Sequence, residues 1–359
     1  MKSPLYFDTH TSYHPFKDSV EILKRAPAAE YRNRYFSQTL KNLNSIENDI
    51  KELFGGADYQ LLFKQELDSI DELLVFLHYS QQVFITGKIN IHLFSNRSGS
   101  SIWNRYEPFG VKTDTISPNE KGLVTPEILN RHLLPRSSLV SIPWADPITG
   151  IIQPVEALAK VCKEKGVFFH TDITHMVGKK YFTLADIGAD YVTFDSMGFY
   201  GASPLCALFF PKEINVAKTS FIRPVADMLS LKSTLLSVGE RIDDLHLEGA
   251  RLSKLLEKKL MQQIPGIKNL FKDVETLPNV SCLEFPHVQK ETLLYYLSLE
   301  QVYPSIMENE ITSFYRSNRA LSFTVPYFYE EKDILEAAAR IAHAYQMALG
   351  ISRGLGSES

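Results

Sequence analysis

The stretch "SSLVSIPWADPITGIIQPVEALAKVCKEKGVFFHTDI", residues 137–173, changes its hydrophobic rhythm twice. Ser137 to Ala145 carries Leu139, Val140, Ile142 and Trp144 with no charged residue, as in a strand covered on both faces. From Gln153 the apolar side chains recur at helical spacing, and Gly166 stops the helix. "VFFHTDI" then resumes the strand pattern. Continuous apolar strands separated by single helices predict a mainly parallel sheet with helices on both faces, an α/β domain.

The same alternation extends outward. "QLLF" (60–63) and "KINIHLF" (88–94) are strand candidates. "LVTPEILNRHL" (123–133) is a short helix with Thr125 as N-cap and Pro126 at the first helical position. After it come "FTLADIGA" (182–189), a short helix or turn, and the strands "DYVTFDS" (190–196) and "PLCALFF" (204–210). Upstream, Leu40, Leu43, Ile46, Ile50 and Leu53 mark an amphipathic helix over 38–54, closed by Gly55 and Gly56. Residues 226–264 read as one long helix bridging two domains. Beyond Pro265 the pattern is α+β. The expected division is a large α/β domain over 16–255 and a small α+β domain from 1–15 and 256–359. Polar groups at the carboxyl ends of parallel strands line ligand crevices, which puts Asp146, Asp172 and Asp195 near one rim.

The chain of 359 residues has a formal charge of -4, so a phosphate-tracking nucleic-acid binder is not expected. No run reaches the ~18 apolar residues of a membrane span, and no membrane partner is expected. The N-terminus lacks the apolar core of a secretory signal, so a soluble cytoplasmic protein is expected. Cys162, Cys206 and Cys282 form no C-x-x-C pair, which argues against a disulfide framework and a zinc site; Cys206 and Cys282 read as small buried hydrophobes, and Cys162 as a structural thiol on a helix.

The order of segments resembles the cysteine desulfurases, class V members of the aminotransferase superfamily with the pyridoxal-phosphate (PLP) fold type I. The resemblance is carried by "LVSIPWADPITGIIQPVEALAKVCKEKGVFFHTDITHMVGK" (139–179) and "GADYVTFDSMGFYGASPLCALFF" (188–210), with "YFD" (6–8), "LPNVSCLEFP" (277–286) and "LSFTVPYFYEEKDI" (321–334) in matching order. It implies a homodimer with PLP as the family cofactor.

Carried over position by position, the resemblance implies a degenerate site. The family's serine-x-histidine-lysine pattern falls on Asp195, Ser196, Met197 and Gly198, so the PLP lysine position is Gly198. No amine stands there to hold PLP covalently or to move a substrate proton. Lys179 and Lys180, in "HMVGKK", are expected to face solvent. The phosphate cup falls on "FKQELDSI" (63–70), with Glu66 at the glycine and Asp68 at the threonine position; Lys64 offsets one charge. Asp195 also replaces a phosphate-binding serine. A carboxylate ~4 Å from a phosphate repels it by about 1 kcal/mol even at water-like screening. The ring-stacking histidine falls on Asn96, with His92 a few residues before, and the ring-hydroxyl asparagine falls on Pro147. The loop "YPSIMENEITSFYRS" (303–317) lacks the nucleophilic cysteine. Ser322 takes the substrate-arginine position, with Arg319 shifted by three residues.

Two positions retain polar groups. Asp172 matches the aspartate that pairs with the pyridine nitrogen, and His175 stands where the family has a glutamine. Asp172 also has the simpler role of capping a turn. The leading expectation is a pseudoenzyme without covalent cofactor, a binding partner or regulator in sulfur transfer that pairs with an active desulfurase or a sulfur-acceptor scaffold protein. One alternative is a lysine-independent PLP or aminated-PLP enzyme using Asp172 and His175, with His175 as acid–base group. The other is a small-molecule binder reusing the crevice beside Trp144 and Tyr200.

Overall fold

The computed structural model describes residues 2–8, 15–25, 36–65, 67–94, 100–214, 225–306 and 317–356. Two compact units divide the chain. The larger comprises His14–Trp144 and Gln153–Arg241, and the smaller Met1–Tyr13, Ala145–Ile152 and Ile242–Ser359. The helix Val225–Gln263 runs through the boundary between Arg241 and Ile242.

Strand β1 (Leu5–Phe7) opens the chain within the smaller unit. The larger unit holds β2 (Tyr59–Lys64), β3 (Asn90–Phe94), β4 (Lys112–Ile116), β5 (Ser137–Ser141), β6 (Phe168–Asp172), β7 (Tyr191–Asp195) and β8 (Cys206–Pro211). They form a seven-stranded sheet in the order β2-β8-β7-β6-β5-β3-β4. The pairs β4–β3, β3–β5, β5–β6 and β6–β7 are parallel, while β8 runs against both β7 and β2. The mainly parallel sheet is as the apolar runs predict. Its consequence for function is that β5, β6 and β7 end side by side on Ser141, Asp172 and Asp195.

The local signals act as expected. The helix Val155–Lys165 buries Val155, Leu158, Ala159 and Cys162. Gly166 closes it at φ 63°, donating its N–H to the Cys162 and Lys163 carbonyls. Thr125 Oγ1 accepts from the Ile128 N–H at 3.3 Å and caps the helix Pro126–His132. Thr183 and Asp186 form a reciprocal capping box on the turn Leu184–Ile187. Two elements had no clear sequence signal. Strand β4 reads "KTDTI" and buries only Ile116, because it is a sheet edge. The helix Leu67–His78 packs Ile70, Leu73, Leu74 and Leu77 into the core with Leu139, Leu208 and Phe210.

The smaller unit holds β9 (Lys268–Asn269), β10 (Val280–Glu284), β11 (Val302–Pro304) and β12 (Ala320–Thr324). Strand β10 lies between β12 and β9, antiparallel to both, and β1 pairs in parallel with β11. Leu256, Leu260, Phe285, Phe323 and Ile341 centre its core. The excursion Ala145–Ile152 is stitched to it: Leu277 N–H donates to Gly150 O at 2.7 Å and Ile152 N–H to Glu275 O at 3.1 Å. Gly150 sits at φ 76°, and a Cβ there would come within 3.0 Å of Val280 Cβ.

Candidate active site

At the ends of β6 and β7 the polar side chains satisfy one another. Asp172 Oδ1 accepts the Thr174 N–H at 2.9 Å, and Oδ2 accepts the Thr193 hydroxyl at 3.0 Å. Thr193 Oγ1 lies 3.0 Å from His170 Nε2, and His170 Nδ1 lies 2.8 Å from Ser141 Oγ. A carboxylate only accepts, so the Thr193 proton goes to Asp172 and its oxygen accepts from Nε2–H. His170 Nδ1 then accepts the Ser141 hydroxyl proton. The result is a buried chain directed from Ser141 through His170 and Thr193 to Asp172; Ser141, His170 and Thr193 are each fully buried.

Asp195 is held the same way. Its Oδ1 accepts the Met197 N–H at 2.9 Å, capping the turn Ser196–Phe199, and its own N–H donates to Thr174 Oγ1 at 2.9 Å. Burial pushes the Asp195 carboxyl above the usual carboxylate range, and the Asp172 charge adds to this; the Met197 N–H opposes it.

Gly198 sits in this turn. A Cβ on its backbone would lie 2.2 Å from Thr174 Cγ2 and 3.5 Å from His175 Cε1. The first distance is a hard overlap, so any side chain at 198 requires Thr174 to shift. Gly201 is equally tight, with a Cβ meeting Ser196 O at 2.5 Å. Between them, Tyr200 adopts the left-handed conformation at φ 77°. Its hydroxyl accepts from Lys179 Nζ, which also lies 4.9 Å from the ring centroid. Phe16 covers the same ring, at 4.9 Å between centroids.

Several expectations are corrected. Lys179 does not face solvent: it is half-buried on Tyr200, whereas Lys180 is exposed. The acidic rim is not a set of three bare carboxylates. Asp146 belongs to the smaller unit, where its Oδ1 accepts from Ile148 N, Thr149 N and Thr149 Oγ1 at 3.0, 2.6 and 2.9 Å. His92 is buried inside the sheet, with Nε2 2.7 Å from Ser137 Oγ and Nδ1 3.2 Å from Asp114 Oδ2. Burial holds its pKa below the ordinary histidine value. Ser322 donates to the Ile148 carbonyl, and Arg319 pairs with Glu284 at 3.6 Å. Trp144 is buried and packs edge-on against Phe182 at 4.9 Å. Pro147 falls in the turn capped by Asp146. Glu66, Asn96 and most of the loop 303–317 lie outside the described residues, as does the side chain of Asp68.

All three cysteines are buried. Burial raises the Cys162 thiol to about 12 and pushes Cys206 and Cys282 up as well, so none is poised as a thiolate. Among the described residues no group of three or more metal-type ligands comes together, and no helix is long and apolar enough to cross a membrane. Sequence reasoning missed Thr174, Thr193, His170 and Ser141. The signal was present: His170 and Thr193 sit two residues before Asp172 and Asp195 and share their sheet face.

Residues 28–222 match the family model "Aminotransferase class-V". Among curated proteins, the chain is 36% identical over 100 residues to a probable mitochondrial cysteine desulfurase of Dictyostelium discoideum, covering 28% of this chain and 22% of that protein. It is 26% identical over 215 residues to the cysteine desulfurase IscS of Clostridium botulinum, covering 55% of this chain and 53% of the relative. The matched region thus spans between about a fifth and about a half of those relatives. Among solved structures, a NifS-like protein superposes with TM-score 0.84 at 18% identity over 96% of this chain and 100% of that one. A NifS-like protein from Rickettsia africae gives 0.81, also at 18% identity, over 96% of this chain and 100% of the other. The sheet order, these superpositions and the family match agree on the PLP-dependent fold type I, and the chain belongs to the class V aminotransferase family as a cysteine desulfurase-like member.

Proposed function

We infer that this chain is a pseudoenzyme of its family, one that acts by binding and not by PLP chemistry. The observation that carries the reading is the contact at Gly198. The resemblance assigns the cofactor lysine to this position, and a Cβ there would overlap the Thr174 methyl as it is packed.

Two further observations support it. Both Asp172 oxygens accept hydrogen bonds from the protein itself, so the carboxylate is occupied as a turn cap and as the end of the Ser141–His170–Thr193 chain. Asp195, at the phosphate-binding serine position, adds a half-buried carboxyl where an anion would need a donor. The residues present do not fit covalently held PLP.

The binding roles that go with this reading are a homodimer and an association with an active desulfurase or a sulfur-acceptor scaffold protein. The test is the absorption spectrum of the purified protein before and after excess PLP and desalting. No retained band between the protein peak and the visible is the expected result. A stable band would sink the reading and make Asp172 and His175 the first residues to mutate.

A further inference from the structure

The parallel strands have a second end, opposite Asp172 and Asp195. There β4, β3, β5 and β6 begin side by side, and the loops that feed them are knitted together. Lys112 N–H donates to Ile89 O at 2.9 Å, and Asn90 N–H to Arg136 O at 3.0 Å. The Arg136 guanidinium donates to Gly87 O at 2.9 Å, and Lys88 Nζ to Gly166 O at 2.7 Å.

This rim carries large apolar side chains in water. Phe84 is 77% exposed, Ile85 68%, Phe109 66% and Leu134 54%. Phe84 and Ile85 stand just before Gly87, and Phe109 just before Gly110, both glycines in the left-handed turn conformation at φ 67° and 90°. The starts of these strands carry Lys88, Lys112, Arg136, Lys163 and Lys165, against Glu107, Glu164 and Asp190, whose carboxylate accepts the Phe169 N–H at 2.8 Å and faces Lys163. The bonds of Lys88 and Arg136 go to neutral carbonyls and leave their charges unbalanced. Five cations against three carboxylates leave this end with a positive excess in a chain of net charge -4.

We propose that this end of the sheet docks on an anionic lipid surface. Protruding aromatic and aliphatic tips at an end with excess cations match an interface in which the tips enter the headgroup region and the ammonium groups meet lipid charge. The abundance of lysine selects this occupant over a protein partner, because protein interfaces are depleted in lysine. The surface lies at the opposite strand ends from the candidate active site and does not depend on the pseudoenzyme reading. It departs from the sequence expectation of no membrane partner, which rested on spanning segments.

The test is co-sedimentation of the full chain with phosphatidylcholine vesicles, with and without phosphatidylserine. The expected result is binding about tenfold stronger to the anionic vesicles, weakened by salt. Phe84→Ser with Ile85→Ser should lose it, as should Lys163→Glu with Lys165→Glu, a pair on an exposed helix end that keeps the test valid if the first fails to fold. Equal sedimentation with both vesicles, or unchanged binding by the folded variants, overturns the proposal. Competition by soluble polyglutamate that survives Phe84→Ser with Ile85→Ser also overturns it, in favour of an acidic protein partner.

Discussion

Thr174 Cγ2 occupies the space into which a side chain on residue 198 would have to grow, 2.2 Å from the ideal Cβ. Thr174 is fixed from two sides, by its N–H to Asp172 and by its Oγ1 from the Asp195 N–H. Gly198→Ala should therefore destabilise the fold by about 1–3 kcal/mol through overpacking. Thr174→Ser removes the methyl and keeps the hydroxyl acceptor. Urea denaturation of the double variant should recover most of the loss. Simple additivity of the two changes would show that the methyl is not the obstacle.

Asp172→Asn tests the buried chain. An amide facing Thr193 supplies a proton where the carboxylate accepted one, so Thr193 must turn its own proton toward His170 Nε2. His170 must then carry its proton on Nδ1 and donate to Ser141. Nitrogen-15 shifts of the His170 ring should report the Nε2–H tautomer in the parent and Nδ1–H in the variant. An unchanged tautomer would refute the direction of the chain.

The raised pKa of Asp195 has a definite sign. A carboxyl that binds its proton more tightly when folded adds stability at acidic pH, and that contribution is lost as pH rises through the folded pKa. Asp195→Asn keeps an oxygen for the Met197 N–H and carries no charge. Its melting temperature should exceed the parent's at neutral pH, with the difference shrinking in acid. A uniform loss at every pH would contradict this.

Histidines set the opposite slope. Burial lowers His78 to about 3, and it lowers His92 as well. The neutral forms are favoured when folded, so their contribution is complete above the unfolded value near 6.5 and is lost as pH falls toward the folded one. His78 contributes a slope of about 1.4 kcal/mol per pH unit in that window, and His92 adds to it in the same direction. Stability from urea titrations between neutral pH and pH ~4 should fall accordingly, and His78→Leu should flatten the slope.

The burial of Cys162, Cys206 and Cys282 gives a simpler check. An aromatic disulfide reagent should label none of them rapidly in the native state and all of them after unfolding. Fast native labelling of any one would contradict the burial.

The sheet was legible because Leu139–Val140 and Val167–Phe169 lie in apolar runs broken by one amphipathic helix, and few architectures satisfy that rhythm. Strand β4 was not, since an edge strand with one buried residue has no reason to look apolar. The candidate site was half legible. Asp172 and Asp195 stand out at strand ends, but the Thr174 methyl against Gly198 is a contact between residues 24 positions apart that no local pattern encodes. Lys179 was misread because its partner Tyr200 is reached only through a left-handed backbone that tyrosine rarely adopts.

The smaller unit is assembled from three separated stretches, and the last begins only at Ile242. On the ribosome, the larger unit has its whole sheet in hand before that stretch is made. The excursion Ala145–Ile152 must wait, its Gly150 and Ile152 backbone groups unmatched until residues 275–280 emerge. A stop codon between Ile242 and Glu275 would thus leave a finished sheet bearing a loose strap, a species that quality-control proteases would recognise by the strap.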